Sequence, residues 1–293
     1  MSSDELARAQ SRASTSGPDD PEKGPFPAEK AGGAAEPEGS GNLPIRIMYL
    51  HELQAFPDAT TETLMSEAFG KDRVIVPKFQ SKRIMTWFTL AFALLLLLMF
   101  AAVVVAFANK SSGAGFLSLT AMIIVAVIVF VLAGRAVTRL MLRQAVASAE
   151  ESFKKFRPNV IVASSLGAVV CLQMDIPKLP LLLLSPALDQ YYRYMHLKPY
   201  VSIAEYPYVI IVHGSVDESI PLDDSIRLIE TCEVGRCRLE VVDDDHKLSS
   251  LTAADYKRWV EEAFERGRDV VIKQSEAGNK SVDPTLFVMS GEN

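Results

Sequence analysis

The stretch V-I-V-A-S-S-L-G-A-V-V, Val160 to Val170, decides how this chain reads. Its first three residues are β-branched and apolar, as a short buried strand requires. Two serines and Gly167 then make a tight turn, and Ala168 to Val170 open a helix. Within it, Ala163-Ser164-Ser165-Leu166-Gly167 fits small-x-Ser-x-Gly, the nucleophile-elbow pattern, with alanine at the first glycine position. The demand behind the pattern is steric. A serine on a strained strand-to-helix turn needs small residues two positions away, and the helix that starts there aims backbone N–H groups at developing negative charge.

Two later segments have the same strand-then-polar-loop form. Tyr208 to Pro221 (YVIIVHGSVDESIP) ends an apolar run at His213-Gly214 and carries Asp217 in the loop. Leu239 to Leu248 (LEVVDDDHKL) ends in a loop with His246. Ser165, Asp217 and His246 therefore come in the order nucleophile, acid, base, each after a separate strand. His51 reads as structural. Asp243, Asp244 and Asp245 read as solvated loop carboxylates, and the Tyr-rich stretch Asp189 to Tyr200, with His196, as a cap over the site.

The rest of the chain alternates in the same way. Ile45–His51 and Arg73–Pro77 are strand candidates with a helix, Thr60–Phe69, between them. Val160–Ala163, Leu179–Leu184, Tyr208–Val212 and Arg238–Val242 continue the series. Thr252–Arg266 is a final helix, with Thr252 and Asp255 at capping-box spacing. Alternating strands and helices predict an α/β fold with a doubly wound, mostly parallel sheet.

This domain is interrupted. Ile84–Ala108 and Phe116–Leu132 contain no charged residue, and the second pattern runs on to about Leu142. A helix needs about 20 apolar residues to cross a bilayer, and neither run has the polar stripe of a soluble core helix. The link Asn109–Gly115 (NKSSGAG) is short and polar, so residues 81–142 read as a transmembrane hairpin with spans of about 84–108 and 116–139. Lys71, Arg73, Lys78, Lys82 and Arg83 precede the first apolar run, and Arg135, Arg139, Arg143, Lys154 and Lys155 come after the second, against Lys110 alone in the link. The positive-inside rule then predicts both soluble parts, 43–80 and 143–273, in the cytosol. No ionisable residue lies in the span centres, which argues against a channel or transporter.

Residues 1–42 are rich in Ser, Gly, Pro, Ala and acids and read as a disordered tail without a secretory signal. Residues 274–293 read as a flexible C-terminal tail. Net charge is −6, with no basic run interleaved with aromatics, so no nucleic-acid partner is expected. Three cysteines, Cys171, Cys232 and Cys237, give neither a disulfide framework nor a zinc site and read as reduced thiols. No metal and no cofactor is expected.

With these residues in hand, the soluble part resembles the α/β-hydrolase superfamily, in particular its small, lid-poor esterase-like members. Four stretches carry the likeness: Leu50-His51-Glu52 after the first strand, Ser164-Ser165-Leu166-Gly167 at the elbow, His213 to Pro221 in the acid loop, and Asp244-Asp245-His246-Lys247-Leu248 in the histidine loop. It covers roughly Ile45–Phe79 and Gln144–Gly267. The resemblance implies Ser165 as nucleophile, His246 as general base and Asp217 as the group that orients it. It implies the N–H groups of Leu166 and Leu53 as the oxyanion hole. The substrate it implies is a carboxylic ester or thioester, with the bilayer as the other partner. Because the hairpin leaves from the carboxyl end of a strand, where sites in such sheets lie, the mouth is expected to face the cytosolic leaflet, and lipid or lipidated esters become natural substrates.

One departure divides the functional reading. Glu52 stands where the family has a glycine whose backbone turns tightly beside the oxyanion. Loss of one oxyanion donor costs about 10²–10³ in kcat. Two functions follow: a membrane-anchored serine hydrolase, or a hydrolase-like membrane scaffold without turnover.

Overall fold

A computed structural model of the chain describes residues 43–51, 59–108, 112–188 and 202–287. The expected N-terminal tail lies outside the described residues. In chain order the elements are β1 (Ile47–Leu50), α1 (Ala59–Phe69), β2 (Val74–Ile75), α2 (Ser81–Ala108), α3 (Ser112–Phe156), β3 (Val160–Ser164), α4 (Leu166–Gln173), β4 (Leu181–Leu184), β5 (Val209–Gly214), α5 (Leu222–Ile229), β6 (Cys237–Val242) and α6 (Ala253–Glu276).

The strands form one sheet in the order β2-β1-β3-β4-β5-β6, and every pair is parallel. Central strands of such a sheet are covered on both faces, so they read as unbroken apolar runs. Ile47–Leu50, Leu181–Leu184 and Val209–Val212 are buried along their whole length. The edge strand β6 is half-buried and carries Arg238 and Glu240, which pair with Glu262 and Arg258 of α6. Such charges discourage edge-to-edge pairing.

The chain moves from β1 outward to β2, then returns past β1 to β3. Right-handed crossovers therefore place the β1–β2 connection on one face and the β2–β3 and β3–β4 connections on the other. Packing agrees: α1 lies against α6, and α3 against α4. The reversal makes the carboxyl ends of β1 and β3 the topological switch point, where ligands of open α/β sheets bind.

The β2–β3 crossover is the antiparallel pair α2 and α3. Both helices are long and apolar enough to cross a membrane, and only 6% and 0% of their most apolar windows are buried. The pair is zipped by Phe92 against Phe130 at 5.3 Å and Phe107 against Phe116 at 5.6 Å between ring centres. At its base the Gln80 N–H donates to Gln144 Oε1 (3.0 Å), and Ser148 Oγ donates to the Lys78 carbonyl (3.0 Å). On either side of that clamp Met141, Leu142, Ala145, Ala149 and Phe153 of α3 are buried in the domain core. Thus α3 is one rod. Its upper part belongs to the hairpin and its lower part to the sheet. It runs antiparallel to the strands, so the hairpin leaves from their carboxyl edge.

The C-terminal boundary read from sequence requires correction. Helix α6 runs ten residues past Arg266, and the chain stays packed beyond 273. Val271, Val282, Leu286 and Phe287 are buried. Phe287, in a 3₁₀ turn (Pro284–Phe287), stacks on Phe264 at 5.8 Å. The stretch looked like a tail because its apolar residues are sparse. They nonetheless pack into the core beside α6, on its Phe264 end. The N-terminus of α6 has the capping box expected of Thr252 and Asp255.

Candidate active site

Ser165 sits between β3 and α4 with φ 50° and ψ −118°. A positive φ is costly for a residue with a Cβ, so surrounding bonds must hold it. Its N–H donates to the Leu184 carbonyl (2.9 Å), and its carbonyl accepts from Ala168 (3.1 Å) and Ala187 (3.2 Å). Gly167 supplies the space. A Cβ there would lie 2.0 Å from the Leu50 carbonyl oxygen, so α4 could not approach the end of β1. Leu166 opens α4, and its N–H belongs to the first turn, which has no intrahelical acceptor. Leu53 and Glu52 lie outside the described residues, as does His196.

The structure brings the three separated residues together. Asp217 Oδ1 accepts the N–H groups of Ser219 (2.8 Å) and Ile220 (2.9 Å). Its Oδ2 accepts from His246 Nδ1 at 2.7 Å, and His246 Nε2 lies 3.1 Å from Ser165 Oγ. Burial pushes the Asp217 carboxyl up, but the Ile220 N–H, the His246 ring and the Ser219 N–H together outweigh it and hold it below its ordinary value. An ionised carboxylate only accepts. Nδ1 must therefore carry the proton, and Nε2 accepts from the Ser165 hydroxyl.

A second histidine backs the acid loop. His213 is fully buried at the end of β5. Its Nε2 is 3.0 Å from the Ile220 carbonyl, which can only accept, so Nε2 donates there. Nδ1 then accepts from Ser225 Oγ at 2.8 Å. His213 thus ties the Asp217 loop to α5 and lies 3.6 Å from Asp217 Oδ2. His213 belongs to the acid-loop motif, but its role is not legible in the sequence. Its partner is twelve residues away on a helix face, and no pattern marks it.

The histidine loop is built just as tightly. A Cβ on Gly214 would meet the carbonyl oxygens of Asp244 and Asp245 at 2.4 and 2.5 Å, so only glycine lets β5 pass beneath this loop. Asp244 was read as a solvated carboxylate, and the structure corrects this. Its Oδ2 accepts from Ser250 N (2.8 Å) and Oγ (2.7 Å), and its Oδ1 from Asp245 N (2.8 Å). It ties off the turn that presents His246. Asp245 Oδ1 accepts from Lys247 N (2.8 Å) and not from His246.

An open depression of about 980 Å³ adjoins His246 at the carboxyl ends of the strands. Tyr49, His51, Ser164 and Ser219 line it, with Thr61 of α1 and Tyr256 of α6. His51 also packs on Phe79, ring centres 4.8 Å apart, just before α2 begins. The cavity wall and the root of the hairpin are therefore in contact.

The cysteines are free thiols. Burial pushes Cys171 up to about 12, and burial with the neighbouring Cys237 thiol pushes Cys232 up to about 12. Thiols so raised are poor nucleophiles. Among the described residues no group of three or more His, Cys, Asp or Glu side chains gathers to hold a metal.

No protein-family model matches the chain, and no curated protein matches it. Among solved structures it is similar to a candidate hydrolase of the α/β superfamily from Xanthomonas campestris pv. campestris. The identity is 18% and the TM-score 0.39, over 78% of this chain and 97% of that one. It is also similar to a candidate hydrolase from Agrobacterium vitis S4, at 16% identity and TM-score 0.31, over 43% of this chain and 68% of that one.

Proposed function

We propose that this chain is a serine hydrolase of the α/β-hydrolase type, anchored by the α2–α3 hairpin, that cleaves a carboxylic ester or thioester. The observation that carries the reading is the connected relay Ser165 Oγ–His246 Nε2 and His246 Nδ1–Asp217 Oδ2, at 3.1 and 2.7 Å, on a positive-φ elbow. In this mechanism Ser165 Oγ attacks the acyl carbonyl as its proton passes to His246 Nε2. Asp217 stabilises the imidazolium. The Leu166 N–H receives the oxyanion, with Leu53 as the second donor. His246 then protonates the departing alcohol or thiol, and water repeats the sequence on the acyl-enzyme.

In this reading the hairpin anchors the domain at a bilayer. Its carboxyl-edge exit, the His51–Phe79 contact and the basic residues at its base support a site mouth that faces the leaflet on the side of the soluble domain. Lipid or lipidated acyl esters fit that placement, and the basic residues favour the cytosolic side.

A fluorophosphonate probe tests the activity. It should label the full-length protein, and Ser165→Ala should abolish the label. Absence of labelling on folded wild type would instead favour the scaffold reading. Glu52→Gly should raise the labelling rate if the glutamate weakens the oxyanion side.

A further inference from the structure

The root of the hairpin carries a charge pattern that the hydrolytic reaction does not use. From Arg73 to Ala149 the sequence contains no acidic residue, although the chain as a whole is acidic. Six of the cations in that stretch gather where the hairpin meets the domain: Lys78, Lys82 and Arg83 before or at the start of α2, and Arg135, Arg139 and Arg143 on α3. The three arginines are spaced i, i+4, i+8 and form one stripe. Arg135 is only half-buried, yet its Nε is out of reach of solvent and has no hydrogen-bond partner among the described residues.

The level of this stripe relative to Ser165 can be read from hydrogen bonds. Asp175 N, just past α4, donates to Glu150 Oε1 of α3 at 2.8 Å. Both helices run antiparallel to the strands. Counting back along each sets Leu166, and so Ser165, level with about Met141. Arg135 lies six residues further toward the hairpin, about 9 Å at the helical rise. It is also seven residues from Leu142, whose side chain is buried against the domain, so the two share a face of α3. The register of Phe92 on Phe130 and Gln80 by Gln144 sets Trp87 level with Arg135. Trp87 is 65% exposed, as a residue at a lipid–water boundary would be.

We propose that Arg135, Arg139 and Arg143 form a headgroup site for an anionic phospholipid in the leaflet next to the catalytic edge. The site rests on the membrane reading above and adds a lipid preference to it. Its phosphate meets the exposed side chains of Arg139 and Arg143, with Arg135 about 9 Å beyond the level of the catalytic serine. Basic residues at a membrane surface each gain about 1 kcal/mol from anionic lipid, or roughly fivefold in local enrichment.

Trp87 is a built-in reporter, since the chain has two tryptophans. The full-length protein is reconstituted in phosphatidylcholine vesicles doped with dansyl-phosphatidylserine or dansyl-phosphatidylcholine. Energy transfer is measured after subtraction of the Trp87→Phe signal, which leaves Trp259 alone. Transfer to the serine lipid should exceed transfer to the choline lipid by at least about fivefold. The excess should shrink with added salt, survive replacement of the three arginines by lysine, and vanish on their replacement by glutamine. If the glutamine variant does not insert, the salt titration of wild type decides. Equal transfer to both lipids overturns the headgroup site and leaves the membrane anchor standing. Transfer to neither overturns both.

Discussion

Gly214→Ala tests whether the histidine loop is held by contact with β5. The backbone at Gly214 is not in the left-handed region, so alanine meets no φ penalty. Space alone opposes it. Its Cβ would lie 2.4 and 2.5 Å from the carbonyl oxygens of Asp244 and Asp245. Real Cβ atoms stay outside 3.0 Å, and ordinary contact begins at 3.4 Å. The loop must therefore retreat by roughly 0.6 to 1 Å. His246 follows Asp245 directly and would move with it, away from partners now at 2.7 and 3.1 Å. A misplacement of about 1 Å costs about 10²-fold in rate, near 2.7 kcal/mol of transition-state stabilisation. Overpacking should also cost about 1–3 kcal/mol of stability, offset by about 0.5 kcal/mol from the stiffer unfolded chain. The assay is the second-order rate of fluorophosphonate labelling at Ser165, with thermal unfolding measured in parallel. A folded variant that labels within about threefold of wild type, far short of that 10², would refute the claim that this contact sets the relay geometry.

Other changes probe the acid of the relay and the cap of α6. Asp217→Asn keeps an acceptor for Ser219 and Ile220 but turns an amide toward His246 Nδ1; the wrong tautomer should lower kcat for an acyl ester by about 10⁴, as the same change does in a serine protease, with little change in unfolding temperature. Because Asp217 is held below the ordinary carboxylate value, the acid limb of the pH–rate profile should have unit slope, from His246 alone; the stability Asp217 contributes should persist above the unfolded carboxylate pKa and be lost only as pH falls through its depressed folded value, read by unfolding across an acid series. Thr252→Ala should cost about 0.5–2 kcal/mol at neutral pH by opening the α6 capping box. The Thr252 hydroxyl and N–H hold Asp255 low, so the deficit of Asp255→Asn should fade as pH drops through the depressed Asp255 value.

The sequence made the sheet legible because β1, β3, β4 and β5 are buried on both faces and so are almost purely apolar. Ser165, Asp217 and His246 were legible because each follows such a run, and order did the rest. What was not legible depends on contacts between distant segments. His213 reads as any strand-end histidine until Ser225 and Ile220 surround it. Asp244 reads as solvated until Ser250 folds back onto it. Gly214 carries no turn signal, since its role is clearance under another loop. The C-terminal stretch failed for a different reason: Val282, Leu286 and Phe287 are too few to show a period, and their burial comes from a partner surface built elsewhere.

The continuous rod of α3 also sets an order of events during synthesis. The central pair of the sheet, β1 with β3, joins residues far apart in the chain; Arg46 N donates to Asn159 Oδ1 across 113 positions. When β1 leaves the ribosome its only neighbour is β2, a strand of two residues. It must wait, one edge bare, until the whole hairpin has been made. Closing so long a gap through flexible chain is slow and exposes strand edges to other molecules. A hairpin that zips first brings Gln80 beside Gln144 and delivers β3 to β1 almost in register. The apolar insertion thus serves the nascent chain as a splint.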